Sequence, residues 1–278
     1  MSIPKNKHNC KALDIIWYER VMNMNDTILY CASNTTAMAF AVDALHRQNI
    51  SVVSAPAPDV THLLLPIPSF EADGRIRGGG ILEHILAKLP EHVCIIGGHL
   101  DHPALKGYPK IDLLQDPEYL AKNAAITADC ALRIAANRLP VALRGCPILI
   151  LGWGRIGKCL ANLLQALGAE VTVAARKLSD RAMLKALGFH SADPSNLEPV
   201  LRRFRVLFNT VPSPILSEAQ VFHCRPDCIK IELASIRGIA GSQVIVAGGL
   251  PGKTVPETSG TLIADSIIRI LAKKEATS

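Results

Sequence analysis

Hydrophobic and polar residues alternate along the chain with two different periods, which predict strands in some segments and helices in others. Short apolar runs that end at glycine, proline or polar residues predict buried strands. Segments with apolar residues every three or four positions predict amphipathic helices between them. The predicted strands cover residues 28–32, 51–54, 61–66, 93–96, 110–114, 147–151, 171–175, 206–209, 229–233 and 244–247. Because strands and helices alternate, we predict an α/β fold with parallel sheets.

The order of these elements divides the chain into two α/β domains. Residues 1–115 are predicted to form an N-terminal α/β domain on the substrate side, in which residues 1–24 are poorly structured. Residues 116–139 are predicted to form a connecting helix that starts at an Asp-Pro pair. Residues 140–278 are predicted to form a Rossmann domain with a doubly wound parallel sheet. We expect its C-terminal helix to pack back against the first domain.

A glycine-rich segment directly follows the strand predicted at 147–151. The first glycine permits a tight turn, the second lets the backbone approach a pyrophosphate, and the third lets helix and strand pack closely. The following helix directs its N-terminal N–H groups at the phosphates. A glycine turn without a ligand is the alternative, but strand, glycines, helix and second strand all fall in register. The predicted cofactor-binding residues here are Gly152, Trp153, Gly154, Arg155, Ile156 and Gly157.

The end of the second strand of this unit predicts which dinucleotide binds. NAD enzymes place an Asp or Glu about 20 residues after the glycines to bind the ribose 2′-hydroxyl. Here the strand ends in Arg176 and Lys177, followed by Ser179, without an acid that would repel a 2′-phosphate. Arg176 can stack on adenine and pair with that phosphate. We therefore predict NADP as the cofactor, with NAD and simple solvated turn charges as alternatives.

Later strands end in polar or glycine-rich segments that should lie at the same edge of the sheet. Ligands on such sheets bind outside the carboxyl ends of the strands. We expect Asn209, Thr210 and Pro212 to border the nicotinamide ribose. Segments 234–235 and 248–253 are expected to converge on the reacting ring with them.

Several of these segments together resemble the A subunits of bacterial dipicolinate synthase. The resemblance rests on residues 149–157, 167–176, 209–212, 232–235 and 249–260. The connecting helix resembles a family motif, Asn-Ser-x-Pro-Thr-Ala-Glu, over Asn123–Asp129, but Ala124, Ile126 and Asp129 depart from it. The family's Gly-Gly-Asp segment near the start is replaced by Cys31-Ala-Ser-Asn34.

The resemblance implies an enzyme that oxidises dihydrodipicolinate to dipicolinate, a spore component, and whose partner is a second, flavoprotein subunit. This reaction passes a hydride to NADP⁺ and releases a proton from a dihydropyridine ring. A dicarboxylate substrate needs cationic or hydroxyl partners. The candidates for substrate binding are Arg237, Lys253 and Thr127. The candidates for catalysis are Thr127, Asp129, Asn209, Ser235 and Lys253, with Asp129 as the base. For each charged candidate, a loop charge in solvent is the alternative.

Composition and charge exclude several other classes of function. The net charge of +6 is spread along the chain and only 4% of the residues are aromatic, so we expect no nucleic-acid binding. No apolar run reaches the roughly 20 residues of a membrane span, and no signal peptide is evident. The eight cysteines are scattered, which favours a reducing cytoplasm and makes a disulfide framework improbable. We also expect a homo-oligomer. Metal sites at His99–His102 and at His223, Cys224 and Cys228 are not predicted, because further ligands are missing.

Two other functions compete with this interpretation. The segment Ser235–Gly238 suggests a 2-hydroxy-acid dehydrogenase, but those enzymes need a late histidine and none follows His223. A non-catalytic NADP-binding module is the second alternative, because the segment Asn123–Asp129 departs from the family motif.

Overall fold

The computed structural model describes residues 26–275, so the expectation of poor structure for residues 1–24 lies outside the described residues. The described chain forms two compact units. One runs up to Leu120 and continues from Pro256, and the other runs from Ala121 to Val255. Each unit has a parallel sheet with helices, which confirms the predicted fold class of two α/β domains.

The first unit is built on a parallel sheet with the strand order β2-β1-β3-β4-β5. Apolar side chains of its strands and of α2, such as Leu63, Ile95 and Leu82, form its buried core. The strands and helices are β1 (Ile28–Cys31), α1 (Thr36–Arg47), β2 (Ser51–Val53), β3 (His62–Leu64), α2 (Leu82–Leu86), β4 (Cys94–Gly97) and β5 (Lys110–Asp112).

The last helix of the chain, α8 (Pro256–Glu275), belongs to the first unit and packs along α1. Gly260 makes this close packing possible, because a Cβ atom built on it would lie 2.7 Å from the backbone nitrogen of Ala41. The buried apolar residues of α8 include Leu262, Ile263 and Ile267. They explain why this segment is apolar on more than one face.

The second unit is built on a parallel sheet with the order β11-β10-β9-β6-β7-β8. The order reverses beside β6, which makes the carboxyl end of β6 the expected ligand edge. Its strands and helices are β6 (Pro147–Leu151), α4 (Arg155–Ala166), β7 (Glu170–Ala174), α5 (Leu178–Ala186), β8 (His190–Ala192), β9 (Val206–Asn209), α6 (Glu218–Phe222), β10 (Ile229–Glu232), β11 (Val244–Val246) and α7 (Leu250–Thr254).

The long helix α3 (Pro117–Ala136) begins in the first unit and continues into the second. Its small residues Ala128, Ala131 and Ala135 lie in the same buried cluster as the apolar residues of β6 and α4. The division between the units therefore falls after Leu120, whereas the sequence placed the start of the second domain at residue 140.

The ends of the elements depend on local hydrogen bonds that the sequence indicated only in part. Asp116 caps α3, since its Oδ1 accepts hydrogen bonds from the backbone N–H groups of Glu118 (3.2 Å) and Tyr119 (3.4 Å). Helix α2 ends at Leu86, where tighter turns follow. None of the helices within residues 26–275 is long and apolar enough to cross a membrane.

Candidate functional site

A tight turn at Gly152 joins β6 to α4 in the second unit. Gly152 has a φ of 107°, a conformation that favours glycine. Its N–H donates to the carbonyl oxygen of Ala174 at 2.9 Å, which ties the turn to the end of β7. A Cβ atom on Gly152 would lie 2.5 Å from Thr210 Oγ1 and 2.8 Å from Val211 Cγ2. The turn is therefore packed tightly between the ends of three neighbouring strands.

The other two glycines of the motif differ from each other in what surrounds them. A Cβ atom on Gly157 would collide with the carbonyl oxygen of Gly152, so this glycine serves the contact between α4 and the turn. A Cβ atom on Gly154 would meet nothing within 4 Å. Gly154 is also the N-cap residue of α4. Its missing side chain leaves open space directly before the helix N-terminus, which fits a bound pyrophosphate.

The side chains between these glycines have separate surroundings. Trp153 packs edge-on against Phe189, with 5.8 Å between ring centroids, and Lys158 Nζ lies 5.7 Å from the Trp153 centroid. Ile156 is half-buried against the core. Arg155 is exposed at the first position of α4 and does not line the adjoining cavity. Trp153 therefore forms part of the site, whereas Ile156 can contribute only backbone groups.

An open cavity of about 590 Å³ extends from the glycine turn along the carboxyl ends of the strands. Its volume falls within the range typical of ligand pockets. The lining combines the glycine turn, the end of β7 and the segment after β9. The lining residues are Gly152, Trp153, Gly154, Ala174, Ala175, Arg176, Lys177, Asp180, Asp193, Pro194, Ser195, Thr210, Val211, Pro212, Ser213, Pro214 and Ile215. Most of the residues predicted from the sequence to contact a dinucleotide thus line one cavity, and Arg155, Ile156, Gly157, Ser179 and Asn209 do not.

The end of the cavity beside β7 contains acids as well as bases. Arg176 and Lys177 are exposed there, as the sequence indicated. Ser179 does not belong to the lining, whereas Asp180 does. Asp193 joins it from the segment after β8. This end of the cavity therefore has two acids beside the two basic residues, because the neighbouring strand brings Asp193 to the same edge.

Arg181 fixes the backbone at this end of the cavity. Its guanidinium donates to the carbonyl oxygens of Ala175 and Arg176, both at 2.8 Å, and pairs with Asp193 at 3.0 Å. Hydrogen bonds from the side chain and backbone of Ser195, together with Arg181, hold the pKa of Asp193 below its ordinary value. The negative charge of Asp193 is thus paired with Arg181 and hydrogen-bonded by Ser195. Asp180 is the other acid in the lining of the cavity.

Asn209 occupies a different environment from the one expected of a catalytic residue. It is fully buried, and its Nδ2 donates to Glu232 Oε1 at 2.7 Å and to the carbonyl oxygen of Val211 at 3.0 Å. Its Oδ1 accepts from the N–H of Val211 at 3.0 Å. Because these bonds occupy the amide, the catalytic role assigned to Asn209 is not supported by its position. Asn209 instead shapes the segment that lines the cavity.

Thr210 and Pro212 follow Asn209 and border the cavity directly. The Thr210 hydroxyl donates to the carbonyl oxygen of Leu151 at 2.9 Å, as does its backbone N–H. This double contact joins the end of β9 to the end of β6. Pro212 is exposed, as suits a residue that contacts a ligand.

The loops after β10 and β11 carry other candidates for substrate binding. Arg237 turns its guanidinium into its own loop, where it donates to the carbonyl oxygens of Ile239 (2.9 Å) and Gly241. Lys253 is exposed and donates to the carbonyl oxygen of Gly248 at 3.2 Å. Ser235 is exposed. The prediction that Arg237 binds substrate is not supported here, because its guanidinium is occupied by its own loop.

Two more candidates lie on α3. The Thr127 side chain is buried, and its hydroxyl donates to the carbonyl oxygen of Asn123, one turn earlier, at 2.7 Å. Asp129 is exposed. Thr127 is thereby committed to its own helix, whereas the Asp129 carboxylate is accessible to a ligand.

The histidines considered as metal ligands have other partners. His102 Nδ1 accepts from the N–H of Ala104 at 3.2 Å, and its ring stacks on Phe70 at 4.6 Å. His223 Nε2 lies 2.6 Å from Glu198 Oε1. Within residues 26–275, no group of three or more His, Cys, Asp or Glu side chains could hold a metal ion.

The nucleotide-binding region matches a known protein-family model. Residues 126–222 match the NAD binding domain of D-isomer specific 2-hydroxyacid dehydrogenases. The matched range contains the glycine turn, β7 and the segment after β9, which line the cavity. The match therefore indicates a nicotinamide dinucleotide as the cofactor, and it concerns the cofactor domain and not the substrate.

Relatives of the whole chain carry the name that the sequence motifs suggested. The A subunit of dipicolinate synthase from Bacillus subtilis (strain 168) is 25% identical over 240 residues, which are 80% of this chain and 81% of that protein. The crystal structure of the same subunit from Bacillus halodurans has a TM-score of 0.80 at 21% identity and covers 89% of this chain and 98% of its own. The Bacillus subtilis structure has a TM-score of 0.77 at 21% identity, covering 91% and 97%.

The two structures establish the shared fold, and the sequence match extends the likeness to most of the chain. The family match independently supports a dehydrogenase-like role with a nicotinamide cofactor. The resemblance to the A subunit of dipicolinate synthase is thus confirmed in sequence and in fold for a chain built around a nicotinamide-dinucleotide-binding domain.

Proposed function

We propose that this protein is an NADP-dependent oxidoreductase that oxidises dihydrodipicolinate to dipicolinate. The observation that carries the proposal is the open space at Gly154, directly before the N-terminus of α4 and continuous with a cavity of about 590 Å³. A pyrophosphate in that space would face backbone N–H groups and the positive end of the helix dipole. The resemblance to the A subunit of dipicolinate synthase supports the substrate.

The charges at the end of β7 support NADP over NAD. Arg176 and Lys177 present two positive side chains to the cavity, and Asp193 is already paired with Arg181. Arg181 also holds the backbone carbonyl of Arg176, which limits the positions that the Arg176 side chain can reach. A 2′-phosphate at this point would be attracted by the two basic side chains. Asp180 is the group that would oppose it.

The proposed reaction depends more on placement than on a strong base. Bound NADP⁺ would accept the hydride, and the ring would lose a proton as it becomes aromatic. Because aromatisation supplies much of the driving force, holding the ring in place contributes most of the catalysis. Asp129, Ser235 and Lys253 are exposed and are the candidates for contact with the dicarboxylate or its proton. Thr127 and Arg237 could join them only by exchanging hydrogen bonds they already make.

A non-catalytic NADP-binding module is the second candidate. It is favoured by the Thr127 hydroxyl, which is turned into its own helix within the segment that departs from the family motif. Binding alone cannot separate the two candidates, but turnover of dihydrodipicolinate can. For the catalytic protein we also propose self-association and assembly with a second subunit of the synthase.

The cofactor assignment is tested by titrating the protein with NADPH and with NADH while following nicotinamide fluorescence. Arg176→Asp should weaken NADPH binding by about tenfold to a hundredfold and leave NADH binding unchanged or improved. Arg202→Asp is the matched control, since Arg202 is exposed and lies outside the cavity lining. It changes the net charge equally and should leave both affinities unchanged. Equal losses from both variants would point to net charge alone.

The substrate assignment needs a separate assay, in which NADP⁺ and dihydrodipicolinate are mixed with the protein and NADPH absorbance is followed. Formation of NADPH with dipicolinate supports the enzyme. Tight NADPH binding without turnover, also in the presence of the second subunit, supports the non-catalytic module. Binding of neither nucleotide would contradict both candidates.

A further inference from the structure

Two cysteines lie in contact on the opposite side of the second sheet's core from α4. Cys224 follows α6 (Glu218–Phe222), and Cys228 directly precedes β10 (Ile229–Glu232). Both belong to the buried cluster that contains Leu149 and Leu207, and both are almost fully buried. The two thiols interact with each other across the segment that joins them, and the Cys228 sulfur also lies 3.9 Å from the carbonyl oxygen of Ile229. The two sulfur atoms are therefore neighbours in the folded chain.

The chain between the cysteines is a tight turn that holds them together. The N–H of Cys228 donates to the carbonyl oxygen of Arg225 at 3.1 Å, which closes the turn. Arg225 also pairs with Asp227 across it, with distances of 2.8 and 3.0 Å. Arg205 adds a third contact to Asp227 at 3.1 Å. These contacts hold the turn in place, and none of them involves a thiol group.

Cys224 is accessible from solvent through a cavity of its own. This cavity has a volume of about 400 Å³ and lies apart from the nucleotide cavity. Its lining includes Cys224, Arg225, Pro226 and Lys230, but not Cys228. Lys230 is buried, and its ammonium group donates to the carbonyl oxygen of Cys228 at 3.0 Å. A small, polar reagent can thus approach Cys224 first, in a positive environment.

The electrostatic surroundings distinguish the two sulfurs. The interaction with the Cys228 thiol and the charge of Lys230 outweigh burial and lower the pKa of Cys224. The interaction with Cys224, together with burial, raises the pKa of Cys228. Burial raises the pKa of the partly exposed Cys159 as well. Since the thiolate is the reactive form, Cys224 should react faster than Cys159.

We propose that Cys224 and Cys228 are a redox modification site, in which a hydroperoxide oxidises Cys224 and Cys228 then closes a reversible disulfide. Cys224 Sγ attacks an oxygen of the hydroperoxide, the O–O bond breaks, and a sulfenic acid forms as water or alcohol leaves. Cys228 Sγ attacks Cys224 Sγ and loses its proton, the S–O bond breaks, and water leaves. Both thiols are oxidised and the hydroperoxide is reduced. A dithiol reductant restores them by exchange.

This chemistry differs from a structural disulfide and from a metal site. Disulfides in reducing compartments are usually transient and redox-sensing, and the proposed disulfide is of this reversible kind. No further Cys, His, Asp or Glu completes a metal-binding group around them within residues 26–275. The site is independent of the nucleotide, so its test does not depend on the proposed function.

The experiment uses the native full-length protein treated with limiting hydrogen peroxide, then unfolded in urea, alkylated with N-ethylmaleimide and digested with trypsin. Trypsin does not cleave the Arg225–Pro226 bond, so one peptide, residues 206–230, contains both Cys224 and Cys228 and no other cysteine. We expect this peptide to lose both alkylation sites together and two hydrogen masses. Dithiothreitol should restore both sites. The peptide containing Cys159 should be oxidised about tenfold or more slowly.

Two variants establish the order of the steps. Cys228→Ser retains a hydroxyl donor for Cys224 and should stop the reaction at a sulfenic acid, which a 1,3-diketone traps on Cys224. Cys224→Ser should leave Cys228 fully alkylated. The proposal is overturned if residues 206–230 keep both alkylation sites when the Cys159 peptide is already oxidised. It is also overturned if Cys224→Ser does not slow the oxidation of Cys228.

Discussion

Glu232 Oε1 accepts a hydrogen bond of 2.7 Å from Asn209 Nδ2, and both residues are fully buried at the carboxyl ends of adjacent strands. The same carboxylate accepts from the backbone N–H groups of Ala234 (3.2 Å), Gly238 (2.8 Å) and Ile239 (3.1 Å). The pair therefore fixes the loop after β10. Through the two bonds between Asn209 and Val211, it also fixes a wall of the nucleotide cavity.

Asn209→Asp should test this pair by placing a second carboxylate against Glu232. Two carboxylates at this distance cannot both be ionised, so the pKa of the pair would rise above the ordinary carboxyl value. The variant should lose on the order of 3 kcal/mol of stability at pH 8, where the unfolded chain ionises freely. The loss should shrink toward pH 5, because a proton shared by the pair restores a donor. Urea unfolding at the two pH values measures this difference.

A double variant distinguishes the loss of the direct contact between Asn209 and Glu232 from a general loss of stability. When Asn209→Asp is combined with Glu232→Gln, the amide introduced at position 232 can donate to the carboxylate introduced at position 209. The double variant should therefore be more stable at pH 8 than Asn209→Asp alone, by at least about 1 kcal/mol. Simple additivity of the two losses would show that the contact does not couple the two strands.

The sequence predicted the glycine turn because its features are local. Gly152, Gly154 and Gly157 follow a buried strand and open a helix, so spacing alone indicates their roles. The sequence did not indicate that Asn209 is buried against Glu232, because the two residues are distant in sequence. A polar residue at the end of a strand gives the same sequence pattern whether it is buried or exposed.

Other differences have the same physical origin. Asp193 reaches the nucleotide cavity because β8 lies beside β7 in the sheet, which the sequence order did not indicate. Arg237 is engaged by carbonyl groups within its own loop, and loop conformation has no periodic signal. Asp180 could have been found, because it lies in the first turn of the helix directly after Arg176 and Lys177.

Gly154→Ala and Gly157→Ala should distinguish a glycine that leaves room for a ligand from a glycine that the packing of the chain requires. A Cβ atom on Gly154 meets nothing in the chain, so this variant should keep the thermal stability of the protein. Its methyl group would occupy space beside the pyrophosphate, and NADPH affinity should fall by about tenfold or more. Gly157→Ala should instead lower stability, by roughly 1–3 kcal/mol, because its Cβ would collide with the Gly152 carbonyl oxygen. Thermal unfolding without nucleotide and NADPH titration measure the two effects, and unchanged affinity in Gly154→Ala would contradict the proposed phosphate position.

The contact between Arg269 and Asp116 should make the first unit sensitive to acid. Arg269 bonds both carboxylate oxygens of Asp116, at 2.6 and 2.9 Å, and their side chains are 21% and 11% exposed. Burial would raise the pKa of Asp116, but hydrogen bonds from Arg269 and from the backbone of Tyr119 outweigh it and lower the pKa. A lowered pKa in the folded state stabilises the fold above the unfolded value. That stabilisation is lost as the pH falls through the folded value.

Asp116→Asn removes this charge but keeps the helix cap, since Asn caps as well as Asp. At pH 7 the variant should lose about 1–2 kcal/mol of stability. The difference from the natural chain should persist near pH 4 and disappear only as the pH falls through the lowered pKa of Asp116. Asp73→Asn is the control, because the Asp73–Arg75 pair is exposed and should contribute nothing measurable. Urea unfolding over a pH series from 7 down to about 2.5 measures both, and a loss of stability that does not change over this range would contradict the ion-pair explanation.

Gly260→Ala should reverse the usual effect of replacing glycine within a helix. Alanine in a helix interior is normally favoured over glycine by about 1 kcal/mol. Here the added Cβ would meet the backbone of α1 at the carbonyl oxygen of Ala37 and, at 2.7 Å, the nitrogen of Ala41. Because backbone atoms cannot rotate away, α8 and α1 must separate, and the variant should lose roughly 1–3 kcal/mol.

Gly80→Ala is the matched control for Gly260→Ala within the same unit. Its Cβ would lie 3.8 Å from Ile85 Cδ1, an ordinary contact, and its φ is not positive. The control should be neutral or stabilising by up to about 1 kcal/mol, because alanine restricts the unfolded chain. Thermal unfolding of the two variants side by side measures the difference. If Gly260→Ala is as stable as Gly80→Ala, α8 does not pack on α1 as closely as its backbone contacts require.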